Sequence, residues 1–439
     1  MQILIPALRE DGAPAYGPLS VDVLAEGLRS HLRPPQKAPS GVDRGRQVWR
    51  LVLPRRTSRG PSSADILGAL EPLCRHRGAV DPLYYEPSPD GTPETQGEDF
   101  EEQHSKLLYQ ETVSLLLAGP LADLPWSLQQ RLGGRYATGR LSLNSVEDYA
   151  NYAHRVVAAE AAPRKDRGKD TLLFAPVHDV ATQITHDALL FPLGQTLMQR
   201  QQGLSQVTLF AQKARREQLM EHLESLPPRG LWVFGGHGCQ PTSWSEARLG
   251  ELFDQQKVTF HAGCVASMSR CLEQGIAVLI ACHGAGRRNS VETEPLLGGG
   301  PQAGDAGELL SPLPTAMLTH PRGPLAVVAH VDSTYLISFG DKNFKLPGNG
   351  EQPGVQPLQA MTGKLVQGER LGLSLHTFRQ QLSRRVDKLR AELQRQHGQG
   401  ADFREEEQTR LVQAWLAWND SRSWVVLGDP WARLSGSRV

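Results

Sequence analysis

Between residues 171 and 286, short apolar runs alternate with amphipathic segments. They are "TLLFAPVHD" (171–179), "THDALLFPLGQTLMQRQQG" (185–203), "QVTLFAQ" (206–212), "RREQLMEHLESLP" (215–227), "GLWVFGGHG" (230–238), "FHAGCVASMSRCLEQG" (260–275) and "GIAVLIACHGAG" (275–286). Apolar runs of four to seven residues with no polar alternation are strands covered on both faces, and the segments between them carry a helical period. Strand and helix in this alternation build a parallel sheet buried by helices on both sides, an α/β fold.

The same pattern occurs nearer the N-terminus. "QVWRLVLPRR" (47–56) reads as a strand and "SADILGALEPLCRHRG" (63–78) as a short capped helix. "TVSLLLAGPLADLPW" (112–126) opens with an apolar run of strand length stopped by Gly-Pro. Residues 134–162 give a strand and then a helix, with Val146, Tyr149, Tyr152 and Val156 at helical spacing. Further helices are expected around 313–320, 357–368, 373–396 and 404–420, with a strand in "GPLAVVAHVDSTYLISF" (323–339). Pro/Gly/acid-rich stretches at 33–45, 85–103 and 287–312 read as loops. A basic break at 163–170 separates the two sets of elements.

A chain of 439 residues exceeds one ordinary core, so two domains of roughly 150–200 residues, or one large α/β unit, are expected. With 47 basic and 47 acidic residues the formal net charge is zero, which argues against nucleic acid or an anionic membrane surface as the main partner. No apolar run approaches the roughly 18–20 residues of a membrane span. The N-terminal "MQILIPALREDG" lacks the basic-then-apolar order of a secretory signal. Five cysteines, an odd number, argue against a disulfide framework and for a reducing cytoplasm. Each thiol is then core filler, metal ligand or nucleophile, and filler is the expectation for Cys74, Cys264 and Cys271.

In open parallel sheets, ligands and reactive groups collect at the carboxyl ends of strands. "LWVFGGHG" ends in His237 and Gly238; one helix later, "IAVLIACHG" ends in Cys282 and His283. A strand–helix–strand unit of that length sets the two ends side by side, so His237 can share a proton with the thiol. A backbone N–H at Gly238 can face an oxyanion. His237, Cys239, His261 and Cys264 also have the ligand types of a tetrahedral zinc site, but one pair ends a strand and the other opens a helix, without knuckle turns. His178 and Asp179 follow a strand as well, either joining the site or capping the next helix.

An apolar block ending in His-Gly and a second ending in Ala-Cys resembles the caspase–gingipain superfamily of cysteine peptidases. "LLLAGPLADLPW", "RYATGRLSLNSVEDYANYAHRVV", "FAPVHDVATQITHDALLFPL", "AVVAHVDSTYLISF" and "VVLGDPWARL" are similar, in this order, to segments of bacterial gingipain-type proteins. The resemblance implies a mostly parallel sheet sandwiched by helices. It also implies a non-catalytic α/β subdomain (1–162) packed on a catalytic domain (163–439) with a flexible insertion at 287–312. It makes the chain a cysteine endopeptidase with Cys282 as nucleophile, His237 as proton partner and Gly238 on the oxyanion side. Asp332, the acid on the strand that forms the specificity pocket in the superfamily, implies cleavage after Arg or Lys, with His283 and Asp179 also near the substrate. Arg287 and Arg288 are candidate self-processing sites. No cofactor or metal is expected. The expected partners are a protein substrate and an activating protein, in the cytoplasm, with a role in bacterial defence or programmed death. The alternative is a catalytically inactive caspase-like scaffold or sensor.

Overall fold

The computed structural model describes residues 47–79, 81–87, 99–108, 112–162, 170–200, 205–240, 247–288, 308–334, 356–380 and 420–434, with isolated positions at 2–3, 7–8, 19–20, 384 and 391. The loop expected at 33–45, the part 88–98 of the loop expected at 85–103, the insertion from 289 to 307, the strand residues 335–339 and most of the helices expected at 381–419 lie outside the described residues. Residues 99–103, expected in a loop, are helical.

Ten strands among the described residues form one sheet whose spatial order is not the chain order. They are β1 (Gln47–Pro54), β2 (Leu83–Tyr85), β3 (Thr112–Ala118), β4 (Ala137–Leu141), β5 (Thr171–Ala175), β6 (Gln206–Phe210), β7 (Leu231–Gly235), β8 (Ile276–Ile280), β9 (Ala326–His330) and β10 (Trp424–Gly428). Across the sheet they run β2-β1-β3-β4-β10-β9-β8-β7-β5-β6. Every neighbouring pair is parallel except β9 and β10. The sheet is therefore two parallel halves joined at one antiparallel seam. The closing strand of the chain lies at that seam, so the sheet is continuous across residue 162.

Every residue of β5, β7, β8, β9 and β10 is buried, as largely apolar runs require when helices cover both faces, and so is every residue of β4 despite its Thr138 and Arg140. The helices start where the sequence offers caps. Ser62 and Asp65 form a capping box at α1 (Ser63–Arg77), and Ser145 caps α3 (Val146–Ala161). Between them, α2 (Trp126–Arg135) covers β4 and β10.

Two helices differ from the sequence reading. The helix expected from 185 begins at α4 (Val180–Ile184), widens into a π turn over Thr185–Leu190 and continues as α5 (Phe191–Arg200). Asp179 caps it, so it starts as soon as β5 and its short turn end. Pro192 has no N–H for the carbonyl four residues back, and the wider turn just before it accommodates that loss. The helix expected over 215–227 is α6 (Arg216–Ser225), and that expected over 260–275 is only α7 (Ala262–Ser267). Its continuation has helical apolar spacing, but the N–H groups of Cys271, Leu272 and Gln274 go instead to the carbonyls of Arg322, Leu223 and Gly323. Tertiary hydrogen bonds outcompete the local period there.

Candidate active site

β7, β8 and β9 are consecutive neighbours, with Gly235 opposite Ile280 and Leu279 opposite Ala329. Their carboxyl ends therefore share one edge of the sheet. The Gly236 N–H still donates to the Ile280 carbonyl at 3.2 Å, and the next residues, His237 and Cys282, leave the sheet from adjacent strands. Gly238 packs directly on the second strand end: a Cβ at 238 would collide with the Cys282 carbonyl oxygen. Glycine is required by close approach of two backbones at this position. The segment is pinned from its other side too, since Phe253 N–H donates to the His237 carbonyl (3.2 Å) and Cys239 N–H to that of Glu251 (2.7 Å).

His237 is buried at 1% exposure, and its Nε2 lies 2.8 Å from Asp179 Oδ2. Asp179 divides its carboxylate between two tasks. Oδ1 accepts the Thr182 N–H at 3.0 Å, capping α4, while Oδ2 takes the histidine. The residue caps the helix and also bonds His237. Burial opposes its ionisation, but the His237 hydrogen bond and charge and the two Thr182 donors outweigh it and hold the carboxyl well below the usual range. The ring hydrogen of His237 therefore belongs on Nε2. Nδ1 is buried without a hydrogen-bond partner and is left as the basic nitrogen.

His178 stacks on this ring, centroids 5.5 Å apart and planes 20° from parallel. It is held in turn by the Asp254 carbonyl at 2.7 Å from its Nε2. Burial, with His237 close by, lowers the His178 pKa, so it stacks as a neutral ring. Asp254 is itself fixed, its carboxylate accepting the N–H groups of Gln256 and Val258 (2.8 Å each) and of Arg216 (2.9 Å).

Cys282 is fully buried. Its sulfur lies under the turn that follows β9, where the Thr334 N–H points at it from 3.3 Å. Burial pushes the thiol far above the ordinary cysteine range; the Thr334 N–H opposes the rise and the Asp420 carboxylate adds to it. In this arrangement the sulfur is a neutral thiol.

His283 and Asp332 are both in the left-handed region, φ 57° and 67°, where side chains are strained. They face each other, with the His283 N–H on the Asp332 carbonyl at 2.7 Å. His283 is fully buried, and burial together with Arg287 drops its pKa to about 3. It is neutral at any physiological pH.

The Asp332 carboxylate is already engaged. It accepts Arg288 N–H at 2.8 Å and Arg288 Nε at 2.5 Å, and Arg288 also reaches Gln130 Oε1 at 3.1 Å. Arg287 and Arg288 are both buried, and Gly286–Arg287 pairs antiparallel with Leu309–Leu310. The expected pocket acid and one of the expected cut sites are thus partners of each other.

All five cysteines are free. His261 caps α7 with Nδ1 accepting the Gly263 N–H, and among the described residues no three His, Cys, Asp or Glu side chains are grouped to hold a metal ion. Nor is any described helix long and apolar enough to cross a membrane. The sequence reading missed Asp254, Thr334, Asp420 and His330. Asp254, in the turn "FDQQK", carried the signal of a turn-forming aspartate; Asp420 carried none, since it lies 138 residues after Cys282 in sequence.

No family model and no curated protein matches the sequence. Solved structures do. The complex of the Porphyromonas gingivalis RgpB pro- and mature domains superposes with a TM-score of 0.52 at 14% identity, over 88% of this chain and 79% of that one. A second structure, described as a protease, gives a TM-score of 0.53 at 14% identity over 88% and 78%. The fold is gingipain-like. At that identity the likeness extends to the mixed α/β architecture with its mostly parallel central sheet flanked by helices, as the sequence resemblance implied.

Proposed function

We propose that this chain is a cysteine endopeptidase in which Cys282 attacks the peptide carbonyl. The observation that carries the reading is the His237 ring: bound at Nε2 by Asp179, with a buried and unpartnered Nδ1, at the strand end next to Cys282. As sulfur attacks, the thiol proton passes to Nδ1, and the imidazolium is stabilised by Asp179. Nδ1 then protonates the departing amine, and water releases the acyl group. Because the resting thiol is neutral, proton removal must accompany attack rather than precede it. The Gly238 backbone, close against Cys282, is the oxyanion-side group in this scheme.

The proposed substrates are proteins, cut at few sites in the cytoplasm, with bacterial defence or programmed death as the setting and an activating protein as a partner. A preference for Arg or Lys rests on Asp332, and a basic substrate side chain must compete there with Arg288. Self-processing after Arg287 or Arg288 requires the pairing with Leu309–Leu310 to open first.

The second reading, an inactive caspase-like scaffold or sensor, is favoured by the complete burial of Cys282. A peptidyl electrophile separates the two. Labelling of the wild type that is absent in Cys282→Ala, with peptide-library cleavage falling by about 10⁴-fold or to background in that variant, supports the peptidase. Absence of both labelling and cleavage in the wild type leaves the scaffold.

A further inference from the structure

A buried polar chain leads from the Cys282 sulfur to the ends of β9 and β10, and nothing in the proposed reaction uses it. Thr334, whose N–H faces the sulfur, donates its hydroxyl to Asp420 Oδ1 at 3.0 Å. Asp420, fully buried just before β10, lies 3.0 Å from His330 Nε2 with both its backbone carbonyl and its Oδ1. His330 ends β9, and its Nδ1 lies 3.2 Å from the Asp332 carbonyl, which also holds the His283 N–H. The chain closes a ring around the thiol built from three adjacent strand ends.

We infer that Asp420 is a positioning residue for the candidate nucleophile: it holds the Thr334 hydroxyl so that the Thr334 N–H stays aimed at the Cys282 sulfur. The inference rests on the peptidase reading for its effect on turnover, but not for its effect on the thiol. A backbone N–H aimed at sulfur stabilises the charge that develops there, and it does so only while the turn is held in place. Asp420 also acts directly, since its own negative charge disfavours the thiolate. The two effects have opposite signs, which makes them separable by substitution. The other charged or titratable groups around the thiol are Asp332 with its partner Arg288 and His330 from the β9 end, His283 and Arg287 on its own strand end, and His237 from β7.

The test is the rate of iodoacetamide alkylation of Cys282, followed by mass spectrometry from pH 5 to 11, in the full chain. Asp420→Asn keeps an acceptor for the Thr334 hydroxyl and removes the charge, so the ionisation constant of the thiol should rise about tenfold. Thr334→Val keeps the N–H but frees the turn, so it should fall severalfold. Thr334→Ser keeps the anchor and should match the wild type. A merely structural network would lower stability in these variants without moving the thiol's ionisation in opposite directions. The same alkylation rate at every pH in all four proteins, or no alkylation of Cys282 in any of them, overturns the inference. Peptide cleavage is measured separately: its absence in the wild type removes the peptidase reading while the alkylation pattern still decides this one.

Discussion

The half-sheet built from residues 47–141 and the half-sheet built from 171–330 handle buried charge in different ways. At the end of β10, against the first half, Asp429 is fully buried and its carboxylate accepts Trp49 Nε1 (2.9 Å), Arg77 Nε (2.9 Å) and Trp431 N–H (3.0 Å). Arg77 in turn grips Glu160 on α3 through both of its terminal nitrogens. Burial disfavours the Arg77 charge, yet Asp429 and Glu160 hold its pKa above the usual arginine range. The second half contains an aspartate with different surroundings. Asp179 keeps 37% of its side chain exposed and shares its carboxylate with a histidine whose other nitrogen is unpartnered. His178, His237 and His283 together leave four buried ring nitrogens without partners at this edge. A carboxylate with its donors satisfied holds parts together, whereas buried groups left open to further bonding are equipped for a reaction or a ligand.

That contrast predicts that the two halves respond differently to substitution. Asp429→Ala leaves the Arg77 guanidinium with Glu160 alone and should cost about 3–5 kcal/mol of stability, read by urea unfolding. The electrophile labelling of Cys282 should survive at temperatures where the variant is folded; equal loss of labelling and stability would erase the distinction between the halves. Gly238→Ala is the mirror case. A Cβ there would lie 1.9 Å from the Cys282 carbonyl oxygen, so the two strand ends must move apart, and turnover should fall about 100-fold. Its cost in stability should stay within about 1–3 kcal/mol.

His283 provides a pH signature confined to the second half. Its folded pKa of about 3 lies below its ordinary value, so between about pH 6.5 and 3 the unfolded chain binds a proton that the folded chain does not. Stability should therefore fall as pH drops through that window, by up to about 1.4 kcal/mol per pH unit from this residue. Denaturant midpoints for wild type and His283→Gln, compared from pH 7 to 4.5, should converge as pH is lowered. Parallel curves would show that His283 is not held neutral.

The smallest expected effect is on Asp179. Asp179→Asn retains the cap on α4 but removes the counter-charge of the imidazolium, so turnover should fall several-fold. The acid limb of its pH profile, where protonation of His237 blocks proton transfer from the thiol, should move to lower pH. An unchanged profile would reduce Asp179 to a helix cap and bring the second half closer to the first.

Much of this arrangement was legible in the sequence because its signals are local. Uninterrupted apolar runs such as "IAVLI" and "LWVFG" specify strands buried on both faces, and all ten of those residues are buried. Ser62, Ser145 and Asp179 cap helices through side chains within three residues of their targets. The spacing of His237 and Cys282 around one helix was enough to place them on adjacent strands. Segment 268–275 was misread because its apolar spacing is helical while its N–H groups bond to distant carbonyls.

By itself, then, the sequence determined eight of the ten sheet strands, most helix starts and the strand ends that carry Asp179, His237, Cys282 and Asp332, since each depends on residues a few positions apart. Leu83–Tyr85 and Trp424–Gly428 were not read as strands. Only the tertiary structure decided what those side chains face. Asp332 meets Arg288 rather than open solvent, Asp179 divides its oxygens between a helix and a histidine, and the Cys282 sulfur lies beneath Thr334 with Asp420 behind it. Those partners come from strand ends 44 to 138 residues apart in the chain. Sheet order brings them together, and the hydrogen bonds and desolvation that set their charge exist only after it has done so.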